Sequence, residues 1–200
     1  MPRQSDYNAA DQMPQAADAY TQAAFPLSNR LKRLVWNIIW LLLYRPSPRP
    51  AHVWRAMLLR LFGATLGPDC HFYPGSKVWA PWNLVCEDHV AAADGVELYN
   101  PSLMTLRSHA IISQNAYICG ATHNYNHARF PLQSFQMEIG AYAWICARSS
   151  VLPGVKVGEG AVLGLGGIAG RDLEPWTVYS GNPAQAVRQR DRAAVLSEQP

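Results

Sequence analysis

From about Leu66 to about Glu174, aliphatic residues return at every sixth position, often with a small residue directly after them. The clearest run is Ile139-Gly140, Ile145-Cys146, Val151-Leu152, Val157-Gly158 and Leu163-Gly164. Such a period matches neither an amphipathic helix, at about 3.6 residues, nor a half-buried strand, at about 2. It fits a solenoid in which each hexapeptide builds one short side of a coil and stacks on its counterparts in the next coil. The aliphatic residue is expected to point inward, and its small neighbour to let the chain turn the corner.

The repeat can be registered along the chain. Leu66, Phe72 and Val78 open three hexapeptides, Cys86, Ala92 and Leu98 the next three, and Leu106, Ile112 and Ile118 three more. Coil starts at 66, 86 and 106 lie 20 residues apart, which reads as 18 residues of coil plus a two-residue corner insertion. After Ile118 the rhythm stops, and an inserted loop is expected over residues 124–138. From Ile139 two further coils follow without insertion. Past Glu174-Pro175 come a strand-like Thr177-Val178-Tyr179, a turn at Ser180-Gly181-Asn182-Pro183, and a short helix expected from about Ala184. The expected domains are a polar, disordered leader over 1–24, a helical segment over 25–65, the β-solenoid over 66–183, and a C-terminal helix and tail over 184–200.

Two helices are expected ahead of the solenoid. One is capped by Ser28 and runs from about Asn29 to Tyr44; the other spans roughly Val53 to Phe62. Between them Arg45-Pro46-Ser47-Pro48-Arg49-Pro50 excludes helix. The run Leu34 to Leu43 (LVWNIIWLLL) is about half the ~20 residues a spanning helix needs. It starts more than thirty residues in, after a polar leader, so it is not expected to serve as a signal peptide.

Charge adds one constraint. The net charge of +3 is too small to argue for nucleic acid. Its distribution is lopsided, however. Between Phe25 and Pro68 lie Arg30, Lys32, Arg33, Arg45, Arg49, Arg55 and Arg60, no Asp or Glu, and interleaved Trp36, Trp40, Tyr44 and Trp54. That composition suits a membrane surface, with contact expected through residues 25–62. It equally suits a helical cap packed on the solenoid with its arginines solvated. Cys70, Cys86, Cys119 and Cys146 fall inside the repeat without metal-site spacing, and read as small apolar fillers of a reduced, cytoplasmic protein.

The stretches RLVWNIIWLLLYRPSPRP, LLRLFGATLG, WAPWNL, GVELYN, GATHNY, PGVKVGEGAVLG and PWTVYSGNPAQAV carry a family resemblance over about Pro26 to Arg190. On these residues the chain resembles the hexapeptide-repeat acyltransferases of the left-handed parallel β-helix class, and among them the colanic acid biosynthesis acetyltransferases. The left hand comes from the resemblance alone, because general crossover rules favour the right. The resemblance implies a mainly β fold, acetyl-CoA as co-substrate with no metal, a homotrimer, and a hydroxyl of a sugar or polysaccharide precursor as acceptor. The cysteine reading gives a cytoplasmic location, peripheral at the inner face of the membrane if the basic segment binds lipid.

The same resemblance suggests site residues. His123, at the head of the inserted loop, matches the general base, a role imidazole can fill near neutral pH. No acyl-enzyme is implied. Asn100, Asn124, Tyr125 and Trp82 match or could serve the acceptor side; relatives commonly have Asp where this chain has Asn124. Trp144, Ala147, Leu165, Gly166, Arg171, Arg188 and Arg190 are the coenzyme candidates, with arginine suited to phosphate. A different small acceptor such as an amino sugar, or a non-catalytic β-helix scaffold, is the competing reading. A zinc enzyme is disfavoured, because His109, His123 and His127 do not reproduce metal-ligand spacing.

Overall fold

In the computed structural model, which describes residues 23–197, the chain is a three-sided parallel β-solenoid with helices at its first coil. The leader expected over 1–24 lies outside the described residues except for its last two. Face A stacks Thr65–Leu66, Leu84–Cys86, Met104–Leu106, Met137–Ile139 and Lys156–Val157. Face B stacks His71–Phe72, Ala91–Ala92, Ile111–Ile112, Trp144–Ile145, Val162–Leu163 and Thr177–Ser180. Face C stacks Lys77–Val78, Glu97–Tyr99, Tyr117–Cys119, Ser150–Val151 and Ile168–Ala169.

The hexapeptide register is the register of pairing. Leu66 opposes Cys86, Cys86 opposes Leu106, Leu106 opposes Ile139, and Ile139 opposes Val157. Phe72, Ala92, Ile112, Ile145 and Leu163 form a second inward column, and Val78, Leu98, Ile118, Val151 and Ala169 a third. These three columns, nearly all fully buried, are the core.

The corners work differently from the sequence expectation. The small residue after an inward position serves close stacking rather than the bend. A Cβ at Gly140 or Gly158 would press into the backbone of the following coil. At the A–B corners the bend falls on the third residue after the inward one: Asp69, His89, His109, Tyr142, Gly160 and Trp176 all have positive φ. The rings that this creates stack along the corner, His89 on His109 at 4.8 Å, His109 on Tyr142 at 4.7 Å and Tyr142 on Trp176 at 6.3 Å. Gly160 lets the last pair form, since a Cβ there would collide with the Trp176 ring.

The extra residues all fall at the C–A corner. The first coil fills it with a short 3₁₀ turn, Pro81–Asn83. The third coil fills it with a β-hairpin, where Ala121–His123 pairs antiparallel with Leu132–Ser134. The expected loop over 124–138 is therefore the second half of a hairpin plus the next face A strand.

Helix α1 spans Leu27–Ile39 and continues as a π-helical turn, Trp40–Tyr44, closed by Arg45 N–H donating to Trp40 O at 2.8 Å. Pro26, not Ser28, precedes its first turn, and no side chain caps it. Helix α2 spans His52–Leu61. Trp36 Nε1 donates to Val78 O at 2.7 Å, Trp40 Nε1 donates to Ser76 O at 2.9 Å, and the Tyr44 hydroxyl bonds Ser76 Oγ. Trp36 and Trp40 thus pack on the solenoid, as a helical cap requires, and are not free membrane anchors. Arg55 leaves the basic surface as well. It is fully buried and donates to Phe72 O, Ser47 Oγ, Pro48 O and Arg49 O.

At the other end a strand, Gln185–Gln189, stands where a helix was expected from Ala184. It pairs antiparallel with Thr177–Ser180 and covers the last edge of face B. Backbone groups of an open parallel edge need partners, and that demand overrides the weak local helix preference. The helix α3 follows only at Arg192–Ser197.

Candidate active site

The hairpin at the C–A corner is held down by its base. Phe135 N–H donates to Gly120 O at 2.8 Å, Ser102 Oγ donates to Ser134 Oγ at 2.8 Å, and Met137 N–H donates to Leu103 O at 3.0 Å. Phe135 and Ser134 are buried there. Its tip closes through Asn124 N–H to Pro131 O at 2.9 Å and Phe130 N–H to His127 O at 3.0 Å.

His123 ends the first strand of this hairpin with its ring exposed. Nδ1 lies 2.6 Å from Phe130 O. A carbonyl can only accept, so the neutral ring carries its proton on Nδ1 and its lone pair on Nε2. The imidazole is therefore oriented by backbone, and Nε2 can take a proton from an incoming hydroxyl. Phe130 reaches this place with φ of +45°.

Asn124 does not orient that ring. Its Oδ1 accepts Asn126 N–H at 3.0 Å, an Asx turn that shapes the tip. His127 is likewise used locally, its Nδ1 accepting Arg129 N–H at 3.1 Å. Tyr125 projects from the tip and is 62% exposed.

Asn100 lies inside the solenoid corner. It is fully buried, its Oδ1 accepts Ala80 N–H at 2.9 Å, and its Nδ2 donates to Ala80 O at 2.8 Å. The amide replaces ladder bonds between coils at the widened corner. Trp82 sits at the same corner but beside α1, where it lines a groove with Leu31, Lys32, Val35 and Leu61.

The coenzyme candidates divide between edges. Arg171 is exposed and follows the face C strand Ile168–Ala169, so it shares the C–A edge with His123, two coils on. Ala147, Leu165 and Gly166 lie on the B–C edge, with Gly166 N–H donating to Ala147 O at 3.0 Å. Leu165 projects there, and Gly166 has φ of +66° with open space where a Cβ would stand. Trp144 lies on face B, half exposed, with Nε1 donating to Ser113 Oγ at 2.8 Å. Arg188 is exposed on the closing strand opposite Val178. Arg190 is held by backbone: its Nη1 donates to Tyr142 O at 2.7 Å and Gly160 O at 3.0 Å. That fixes it at the A–B corner, beside the strand that carries Trp144. Its partial burial lowers the guanidinium pKa.

Sequence reasoning missed the carbonyl of Phe130, because a backbone acceptor seven residues away leaves no residue-type signal. Among the described residues, Asp88, His89 and His109 bring possible ligand atoms within 4.8 Å of one another. The two rings lie flat on each other at 16°, so their lone pairs run side by side instead of converging. This cluster occupies the A–B corner, apart from His123.

No protein-family model matches the chain. It is 33% identical over 162 residues to "Putative colanic acid biosynthesis acetyltransferase WcaF" of Escherichia coli (strain K12), covering 81% of this chain and 89% of that protein. Among solved structures, a galactoside acetyltransferase in complex with coenzyme A superposes with a TM-score of 0.78 at 21% identity, over 86% of this chain and 88% of that one. A hexapeptide-repeat acetyltransferase, VCA0836 of Vibrio cholerae O1 biovar eltor complexed with acetyl coenzyme A, gives 0.75 at 20% identity, over 84% and 92%. These structural likenesses identify the fold as the left-handed parallel β-helix.

Proposed function

The chain belongs to the colanic acid biosynthesis acetyltransferase family of hexapeptide-repeat enzymes, and from that premise we propose that it moves an acetyl group from acetyl-CoA to a hydroxyl of a sugar in a cell-surface polysaccharide or its precursor. The observation that carries the mechanism is the imidazole of His123, exposed and held by Phe130 O through Nδ1. Nε2 accepts the proton of the acceptor hydroxyl as its oxygen attacks the thioester carbonyl. The tetrahedral oxyanion collapses, the carbon–sulfur bond breaks, and the imidazolium returns its proton to the departing thiolate. The Nδ1–H to carbonyl bond strengthens while the ring is charged. Such a transfer needs no acyl-enzyme.

The active assembly is a homotrimer in this reading. His123 and Arg171 occupy one edge of the prism, and Ala147, Leu165 and Gly166 the next, with face C between them. One chain cannot fold its own two edges together. A cyclic trimer can place the C–A edge of one protomer against the B–C edge of its neighbour.

The experiment is transfer from acetyl-CoA to a panel of sugars, read by thiol release and product mass, with His123→Ala beside the unmodified protein. Loss of ~10²–10⁴-fold in rate is expected with coenzyme binding retained. A variant keeping more than about a tenth of the rate would remove His123 from the chemistry, since a lost general base costs far more. Products carrying the acetyl group on an amine would replace the hydroxyl acceptor with an amino sugar.

A further inference from the structure

The helical cap is amphipathic in an inverted sense. Arg33, Trp36, Trp40 and Tyr44 face the solenoid: Trp36 and Tyr44 are buried, and Arg33 lies over the Trp79 ring at 4.2 Å. The opposite side carries Leu27, Leu31, Leu34, Val35, Ile38, Leu41 and Leu42, each about half exposed or more. On a helix these positions fall within one ~120° stripe, roughly 24 Å long. The outward side chains of α2 continue it. Leu61, 75% exposed, lines a groove with Leu31 and Val35, and Trp54 donates its Nε1 to Leu43 O at 3.0 Å. Soluble surfaces rarely expose so continuous an apolar patch without a partner.

The rim of that patch is cationic. Arg30, Lys32, Arg45 and Arg60 are exposed around it, Lys32 within 5.8 Å of the Trp82 ring centroid, and no acidic residue occurs anywhere from 25 to 68. A second copy docked through the same patch would set cation against cation. A strip of aliphatic side chains rimmed by Lys and Arg matches instead the boundary between acyl chains and anionic headgroups. No described helix is long and apolar enough to cross a membrane, which suits a helix lying in that boundary. We propose that α1, its π-turn and α2 dock flat on an anionic lipid surface, with the Leu31–Leu42 stripe inserted below the headgroups and the first coil of the solenoid facing the bilayer. This docking stands apart from the catalytic assignment.

The test is flotation of the full-length protein with vesicles of phosphatidylglycerol and phosphatidylcholine, and with phosphatidylcholine alone. Binding to the anionic vesicles that weakens as salt rises is expected. Leu34→Asp with Ile38→Asp should lower the partition coefficient roughly 100-fold or more, from two side chains that no longer bury apolar area. Arg30→Gln with Lys32→Gln should lower it roughly 25-fold, at about 5-fold per cation. These side chains point to solvent, so unchanged melting temperature and acetyl-CoA affinity will show that the variants are folded. Failure to float at low salt overturns the proposal. So does equal binding to both vesicle types. Self-association of the full-length protein that Leu34→Asp abolishes would also overturn it, by assigning the patch to a second copy.

Discussion

At the scale of single residues, the same side-chain type does opposite work at neighbouring corners. Arg171 is exposed on the edge of His123, whereas Arg190 is held by two carbonyls. Arg171→Ala should raise the Michaelis constant for acetyl-CoA roughly ten-fold, the worth of one charge-assisted contact. Steady-state kinetics in both substrates will show this, and a change confined to the acceptor would reverse the placement. Asn100→Ala removes both bonds to Ala80 and leaves its N–H buried without a partner, while its C=O still accepts Asn83 N–H at 3.0 Å. At ~1–3 kcal/mol for that one unsatisfied group, the melting temperature should fall by several degrees while a folded fraction keeps its acceptor affinity. The sequence could place His123 at the head of an insertion. It could not reveal that Asn100 turns inward, because a turn asparagine and a ligand asparagine have the same local pattern.

At the scale of elements, the period of six was legible because each coil repeats one physical demand, an inward aliphatic side chain every hexapeptide. The hairpin was legible only as an interruption, since its pairing depends on Ser102 and Gly120 in the body of the solenoid. The closing strand was hidden for a similar reason, as its partner edge exists only after the last coil forms. The A–B corner gives a sharp test. Gly160→Ala adds a Cβ against the Trp176 ring at a residue with φ of +65°. A loss on the order of 1–3 kcal/mol is expected from overpacking and left-handed strain, read by denaturant unfolding; a stability equal to the parent would mean the aromatic column is loosely seated. On face A, Arg107 bridges Glu87 at 2.8 Å and Glu138 at 2.9 Å, tying the coils on either side of the hairpin. Arg107 holds the Glu87 carboxyl below its usual range, helped by Ser108. A depressed folded-state pKa contributes stability above the ordinary glutamate range and loses it as pH falls through the folded value. Thermal melts should show an acid-side slope that shrinks in Glu87→Gln. The pair is largely solvated, so the effect should be about 1 kcal/mol or less.

At the scale of the molecule, the proposed division of the site between two edges would make catalysis a property of the assembly. Light scattering should find a trimer, and an active monomer at assay concentration would refute the shared site. A mixing experiment is stricter. His123→Ala impairs the C–A edge, and Gly166→Asp should block the B–C edge. Refolded together, random trimers should recover about a quarter of parental activity, because one interface in four joins two intact edges under cyclic closure. Two inactive variants that stay inactive when mixed would place the whole site within one chain. The edges of the solenoid were legible from the register, but their meeting was not, since no local pattern records which surfaces of two copies touch.

The C–A corner accommodates two extra residues in each of the first coils, a whole hairpin in the third and none thereafter. Yet Leu106 still opposes Ile139, and Ile139 opposes Val157, without a slip in the ladder. Chain length is therefore decoupled from core register at this one edge. Natural variation can lengthen, shorten or exchange what grows there without asking the rest of the coil to refold. The part of the protein with most freedom to change is thus also the part that carries His123, and new acceptors can be explored on a frame that stays fixed.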